Sequence, residues 1–308
     1  MNILRYPIVF FLLLFGVPTM AQAQLKVATA TTDLAAITRA VGGDLVDAES
    51  LTPGPTDPHF IEARPSMIRR VASADLMLVI GADLEIGWIG PVLQTARNGK
   101  VQPGAPGYLD LSTVVPLLDR SSGAVNRALG DVHPLGNPHY LLDPENGIRV
   151  ARAIADRLKQ LDPKNADAYQ KNLARFTDEL RAKIPGWKKA VEPLKGKPVM
   201  AYHTSFRYLA EFFGFSVVAF VEPLPGIPPT ATHVKALMRQ VRDEKIRLLL
   251  TEEFYERRSA NFLAAQTGIQ VVTLPHAVAS EPQIKTYTNL FDVIVQRLSQ
   301  AAGREAAK

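Results

Sequence analysis

Of the six histidines in this 308-residue chain, four fall where a strand or loop gives way to the next element. His59 lies in TPGPTDPHFIEARPS, His139 in LGNPHYLLDPENG, His203 ends VMAYH, and His276 follows VVTLP. Imidazole is neutral near pH 7 and offers a ring lone pair. Imidazoles converging from separate loops form the usual ligand shell of Zn²⁺, at Zn–N distances of about 2.0–2.1 Å. Each histidine also has a plain structural reading. His59 fits a proline-rich turn, His139 a helix cap (a task for which the carboxylate of Asp143 is better suited), His203 a buried hydrogen-bonded ring, and His276 filler behind Pro275. Their shared position at strand ends is what favours a metal. His133, in RALGDVHPLGNPH, reads as an accessory contact, and His233, in PTATHVKAL, as a helix-face residue.

The elements that must position these rings follow from periodicity. From Leu25 short apolar runs alternate with amphipathic stretches, the pattern of parallel strands joined by crossover helices. LKVATATT, VDAESLTPG and ADLMLVIGA are expected strands, GYLDLSTVVPL is a shorter extended piece, and RVARAIADRLKQLD closes the lobe as a helix. PKNADAYQKNLARFTDELRAKIPGWKKAVEPLKG is helical throughout with no strand signal. Pro185, which lacks the amide donor that a helix interior needs, is expected to kink or divide it. The pattern then restarts with KPVMAYH, FSVVAFVE, IRLLLTEE and IQVVTLP as strands. The expected fold is α/β: two lobes, residues 24–160 and 196–308, each a mostly parallel sheet flanked by helices, joined by a helical spine at 161–195. Open parallel sheets bind ligands outside their carboxyl ends, where the four histidines stand.

Composition narrows the function classes. Arg5 precedes an apolar run from Pro7 to about Val17, then Ala21-Gln22-Ala23, so residues 1–23 read as a cleaved signal peptide. The run is about half the ~20 residues that span a bilayer. No cysteine is present, which excludes disulfides and a lipid-modified cysteine anchor, and the expected location is the periplasm. The net charge of +5 is scattered among acids, and the densest basic cluster, RPSMIRR, reads as a solvated helix face, so no nucleic-acid partner is expected. No glycine-rich phosphate loop appears.

TTDLAAITRAVGGD, LTPGPTDPHFIEARPS, NPHYLLDPENG, AYHTSFRYLAEFFGF, EPLPGIPPTATHVKAL and TEEFYERRSANFLAAQTGIQVV, in this order, resemble the motifs of the zinc- and manganese-uptake solute-binding proteins of ABC importers. The resemblance implies two lobes around four-stranded sheets joined by one long helix. It implies metal binding by His59, His139 and His203, with a histidine rather than a carboxylate at the third position pointing to zinc. It also implies delivery by a monomer to a membrane permease powered by an ATPase. Two stretches depart from the pattern. Where many members carry an aspartate ligand before proline, this chain has Leu274, leaving His276, Glu253 or water for the fourth position. The tract before His139, SSGAVNRALGDVHPLG, lacks the His- and acid-rich character of many zinc members. Acids such as Asp57, Asp143 or Glu222 are expected to orient the rings through the nitrogens that do not face the metal. The rivals are the same fold carrying Mn, Fe, Cu or a chelated metal, and a zinc hydrolase with Glu253 as base. The hydrolase lacks an HExxH motif.

Overall fold

The computed structural model describes residues 23–120 and 133–306. The expected signal peptide and most of the tract before His133 lie outside the described residues. Two four-stranded sheets are present, and every pairing in both is parallel. The first contains β1 (Leu25–Thr29), β2 (Val46–Ser50), β3 (Leu76–Val79) and β4 (Tyr108–Asp110) in the order β2-β1-β3-β4. The second contains β5 (Pro198–Ala201), β6 (Ser216–Phe220), β7 (Leu248–Thr251) and β8 (Gln270–Thr273) in the matching order β6-β5-β7-β8. In each sheet the chain leaves the first strand to one side and returns to the other. The carboxyl ends of β1/β3 and β5/β7 are therefore the switch points at which ligands settle.

The helices are α1 (Thr32–Gly42), α2 (Pro65–Ala72), α3 (Ile89–Ala96), α4 (Pro144–Leu161), α5 (Ala166–Val191), α6 (Arg207–Phe213), α7 (Ala231–Asp243), α8 (Arg258–Thr267) and α9 (Tyr287–Ala306). Strand parity decides which helices cover which face. Val27, Leu76, Leu78, Val199, Ala201, Leu248 and Leu250 point into one core that runs through both sheets and α1, α4, α5, α6 and α9. The intervening residues face outward. Ala28, Met77 and Val79 meet Met67 and Val71 of α2 and Val92 and Leu93 of α3. Met200 and Leu249 meet Leu237 and Val241 of α7 and Leu263 of α8.

α5 is one helix of 26 residues, about 39 Å long at 1.5 Å per residue. It buries Tyr169, Leu173, Phe176, Leu180, Trp187 and Val191, a stripe at helical spacing, against the shared core. Pro185 stands inside it and does not divide it. Buried anchors on both sides of the proline, Leu180 and Trp187, hold the two segments on one face and offset the lost hydrogen bond. The expected extended piece GYLDLSTVVPL keeps only Tyr108–Asp110 as strand. Its Asp110 accepts from the Ser112 amide and turns the chain into a 3₁₀ segment. No helix among the described residues is long and apolar enough to cross a membrane.

Candidate metal centre

Two of the three closest histidines are presented by the same short turn. In Asp57-Pro58-His59 the Asp57 carboxylate accepts from the His59 amide at 3.0 Å, and in Asn137-Pro138-His139 the Asn137 side-chain Oδ1 accepts from the His139 amide at 3.0 Å. The short Asx side chain bonds its own backbone two residues on, and proline fixes φ between, so the histidine leaves at a defined angle. Trp88 donates through Nε1 to the Pro58 carbonyl at 3.0 Å and pins the first turn to its lobe. Asn137 also donates to the Thr204 carbonyl at 2.9 Å, tying the second turn to the opposite lobe. His203 needs no such turn, since only Tyr202 separates it from β5 and it is only 2% exposed.

The three rings form a nearly equilateral triangle. Their centroids lie 5.2 Å (His59–His139), 5.5 Å (His59–His203) and 5.3 Å (His139–His203) apart. One ligating atom from each lies within 4.8 Å of the others. Carboxylates fix which nitrogens face inward. Asp57 Oδ1 sits 2.6 Å from His59 Nδ1, and Glu222 Oε2 sits 2.8 Å from His203 Nδ1. An ionised carboxylate only accepts, so each Nδ1 carries the proton and each Nε2 keeps its lone pair for a cation. His139 Nε2 is buried without a hydrogen-bond partner among the described residues. A buried ring nitrogen left unpaired in this way costs free energy unless something pairs with it. Burial, and then the neighbouring His59, hold the His139 pKa well below the ordinary value, so the ring stays neutral and able to coordinate. Burial is the largest influence on Asp57 and works against its ionisation, but the side-chain and backbone hydrogen bonds from His59, with the charges of His59 and His203, together outweigh it and keep the carboxyl below its usual range.

His276, one of the three candidates for the fourth position, stands outside this group of ligating atoms, as does His133. Its Nδ1 is held at 2.8 Å by Glu253 Oε1, and the ring packs edge-on against Phe254 with centroids 4.7 Å apart. The two expected candidates for the fourth position thus hold each other. His276 lines a cavity of about 50 Å³ together with His139, Asp33 and Ser205. Leu274 is fully buried in the shared core.

Other expectations sort cleanly. Asp143 caps α4 by accepting from the Glu145 amide at 2.8 Å and orients no histidine. His233 bonds the Phe220 carbonyl at 3.0 Å through Nε2, from the first turn of α7. Arg70 of the basic cluster pairs with Asp47 at 3.0 Å and Glu49 at 3.3 Å. His133, read as accessory, has its Nε2 3.2 Å from that of His59. Sequence reasoning missed Asn137 as a positioning residue, although the repeated Asp/Asn-Pro-His tripeptide was a legible signal. It also missed Glu252, which is 1% exposed and whose carboxyl burial pushes up to about 8.

Residues 27–301 match the sequence model of the zinc-uptake complex component A periplasmic family, ZnuA. The chain belongs to this family. It is 30% identical over 274 residues to the metal ABC transporter substrate-binding lipoprotein FimA of Streptococcus parasanguinis, covering 85% of each chain. It is 28% identical over 275 residues to the manganese ABC transporter substrate-binding lipoprotein PsaA of Streptococcus pneumoniae, again covering 85% of each. With the high-affinity zinc uptake system protein ZnuA of Yersinia pestis, the identity is 27% over 268 residues, 82% of this chain and 83% of that one. A crystal structure of ZnuA superposes with a TM-score of 0.75 at 23% identity, covering 91% of this chain and 100% of that one, which shows the shared fold. As a family member the chain is the metal-binding component of an ABC uptake system, with a permease and an ATPase as partners, and is not an enzyme.

Proposed function

We propose that this protein carries Zn²⁺ through the periplasm as a monomer and hands it to the permease of its importer. The triangle of His59, His139 and His203 carries this reading, because the carboxylates on two of the rings leave nitrogen donors facing a common point. Nitrogen shells suit Zn²⁺, whereas Mn²⁺ favours oxygen. Three acids around the site support zinc too: Asp57, Glu222 and Glu253 each bond a histidine through one carboxylate oxygen. In this reading residues 1–23 direct export and are removed, so the carrier begins near Gln24. No proton transfer or bond cleavage is needed; the work is binding and release.

Calorimetric titration of the metal-stripped mature protein tests the reading. Zinc is expected to bind with sub-micromolar Kd and to outcompete manganese, and His59→Ala or His203→Ala is expected to weaken it severely. Absence of zinc binding tighter than micromolar, unaltered binding in both variants, or a preference for manganese refutes it.

A further inference from the structure

We infer that His133 supplies the fourth ligand, closing the shell that His59, His139 and His203 leave open; the inference rests on the zinc-carrier reading above. The observation is a distance. His133 Nε2 lies 3.2 Å from His59 Nε2, with ring centroids 5.2 Å apart. Two nitrogens bound to one tetrahedral Zn²⁺ at about 2.0–2.1 Å are separated by about 3.3 Å. This pair stands at the spacing that shared coordination requires; His133, like His276, lies outside the group whose ligating atoms are all within 4.8 Å of one another, so its ring must draw closer to His139 and His203 as zinc binds.

The chemistry of the contact agrees. Because Asp57 holds the proton of His59 on Nδ1, the Nε2 that faces His133 is a lone pair. Two imidazole nitrogens this close need a proton or a cation between them. In the metal-free protein the His133 Nε2–H serves; zinc takes its place when the ring is deprotonated at that atom.

The tether makes the position repeatable. The Gly136 amide donates to the His133 carbonyl at 3.0 Å, closing a turn. Gly136 adopts φ +125°, and a Cβ there would sit 2.6 Å from Leu117 Cβ, so the turn requires glycine. One residue on, the Asn137 amide donates to the Leu118 carbonyl at 2.8 Å and Asn137 Nδ2 to the Thr204 carbonyl. His133 thus hangs four residues before the same Asn137 that positions His139. By contrast, His276 is drawn aside by Glu253.

X-ray absorption at the zinc edge of the mature protein, combined with chelator-competition titration, tests the assignment. The wild type is expected to show four imidazoles. His133→Ala is expected to show three plus an oxygen and to bind zinc at least ten-fold more weakly, and His276→Ala to keep four. Three imidazoles in the wild type, unchanged affinity in His133→Ala, or loss of an imidazole in His276→Ala but not in His133→Ala overturns it while leaving the carrier reading intact. A wild type that binds no zinc fails the carrier reading itself. Equal melting temperatures of the metal-free wild type and variant show that folding is not the cause.

Discussion

Replacing Glu222 tests whether the site is tuned through its second layer. Glu222 Oε2 accepts two hydrogen bonds, from His203 Nδ1 at 2.8 Å and from the Gly226 amide at 3.1 Å. Both donors converge on one oxygen, so Glu222→Gln can place its single amide oxygen there and keep both bonds. What it loses is the negative charge behind the ligating ring. Glu222→Ala loses the charge and the acceptor, freeing the ring to rotate and to carry its proton on either nitrogen. Partners of ligating histidines are worth about 10- to 100-fold in metal affinity. We expect Glu222→Gln near the lower bound, about 1.4 kcal/mol, and Glu222→Ala near the upper, about 2.8 kcal/mol. Chelator competition with the mature protein reads both numbers. If Glu222→Ala binds zinc as tightly as the wild type, the claim that this carboxylate orients His203 is refuted. If Glu222→Gln is as damaging as Glu222→Ala, geometry is not what the first variant preserves, and the argument from the shared oxygen falls.

Two further outcomes follow from groups outside the triangle. In the His276–Glu253 pair burial is the largest influence and opposes both charges, yet the mutual hydrogen bond and charge attraction, with smaller neighbouring contributions, together lift His276 above its ordinary 6.5 and hold Glu253 below its ordinary 4.5. The histidine's share of stability is present below pH 6.5 and lost as pH rises through the raised value; the glutamate's share is present above pH 4.5 and lost as pH falls through the depressed value. Glu253→Gln should therefore cost the metal-free protein most between these two values, about 1–2 kcal/mol, and the cost should fade on the alkaline side. Urea unfolding across pH checks this, and a cost that grows above neutrality contradicts it. Leu274→Ala, at the position where many members of the family carry a ligating aspartate, should cost about 2–5 kcal/mol through its cavity and leave zinc affinity within two-fold; denaturation and titration of one variant decide both halves.

The strands were legible because parallel sheets covered on both faces demand continuous apolar runs, and LMLV and LLLT admit no other reading at their length. The helices were legible from their periodicity, and the approach of His59, His139 and His203 to one another from their places after strands or in the loop expected at the cleft. What was not legible depended on contacts between distant segments. The parity that sends Leu248 and Leu250 to one core and Leu249 to another is visible in sequence, but not that the first core is shared between the sheets. Pro185 looked like a break because local rules penalise it; Leu180 and Trp187, buried on either side, override the penalty. His276 looked like a ligand because it sits one residue past Pro275, at the right distance along the chain. Glu253, 23 residues away on the next strand end, decides where its ring points.

The shared core bears on how the ion is held. The lobes are joined not only by α5 but by hydrogen bonds across the cleft itself. Tyr208 of α6 accepts from the Leu118 amide at 2.9 Å and donates to the Asn137 carbonyl at 2.8 Å. Tyr287 donates to the Leu141 carbonyl at 2.6 Å, and the Val278 amide donates to buried Asp33 at 2.7 Å. At Gly54 the two backbones meet so closely that a Cβ would lie 2.3 Å from the carbonyl of Ala279. Opening the cleft by rotating the lobes would break these bonds and expose core on both sides, a cost that a bound ion would have to offset at every cycle. A site held this way draws its affinity from rings already aimed, since little ordering remains to be done when the ion arrives. On that view the carboxylates behind His59 and His203 do the work that lobe closure does in more loosely hinged binding proteins, and the turn carrying His133 is left as the part whose position decides how completely the ion is enclosed.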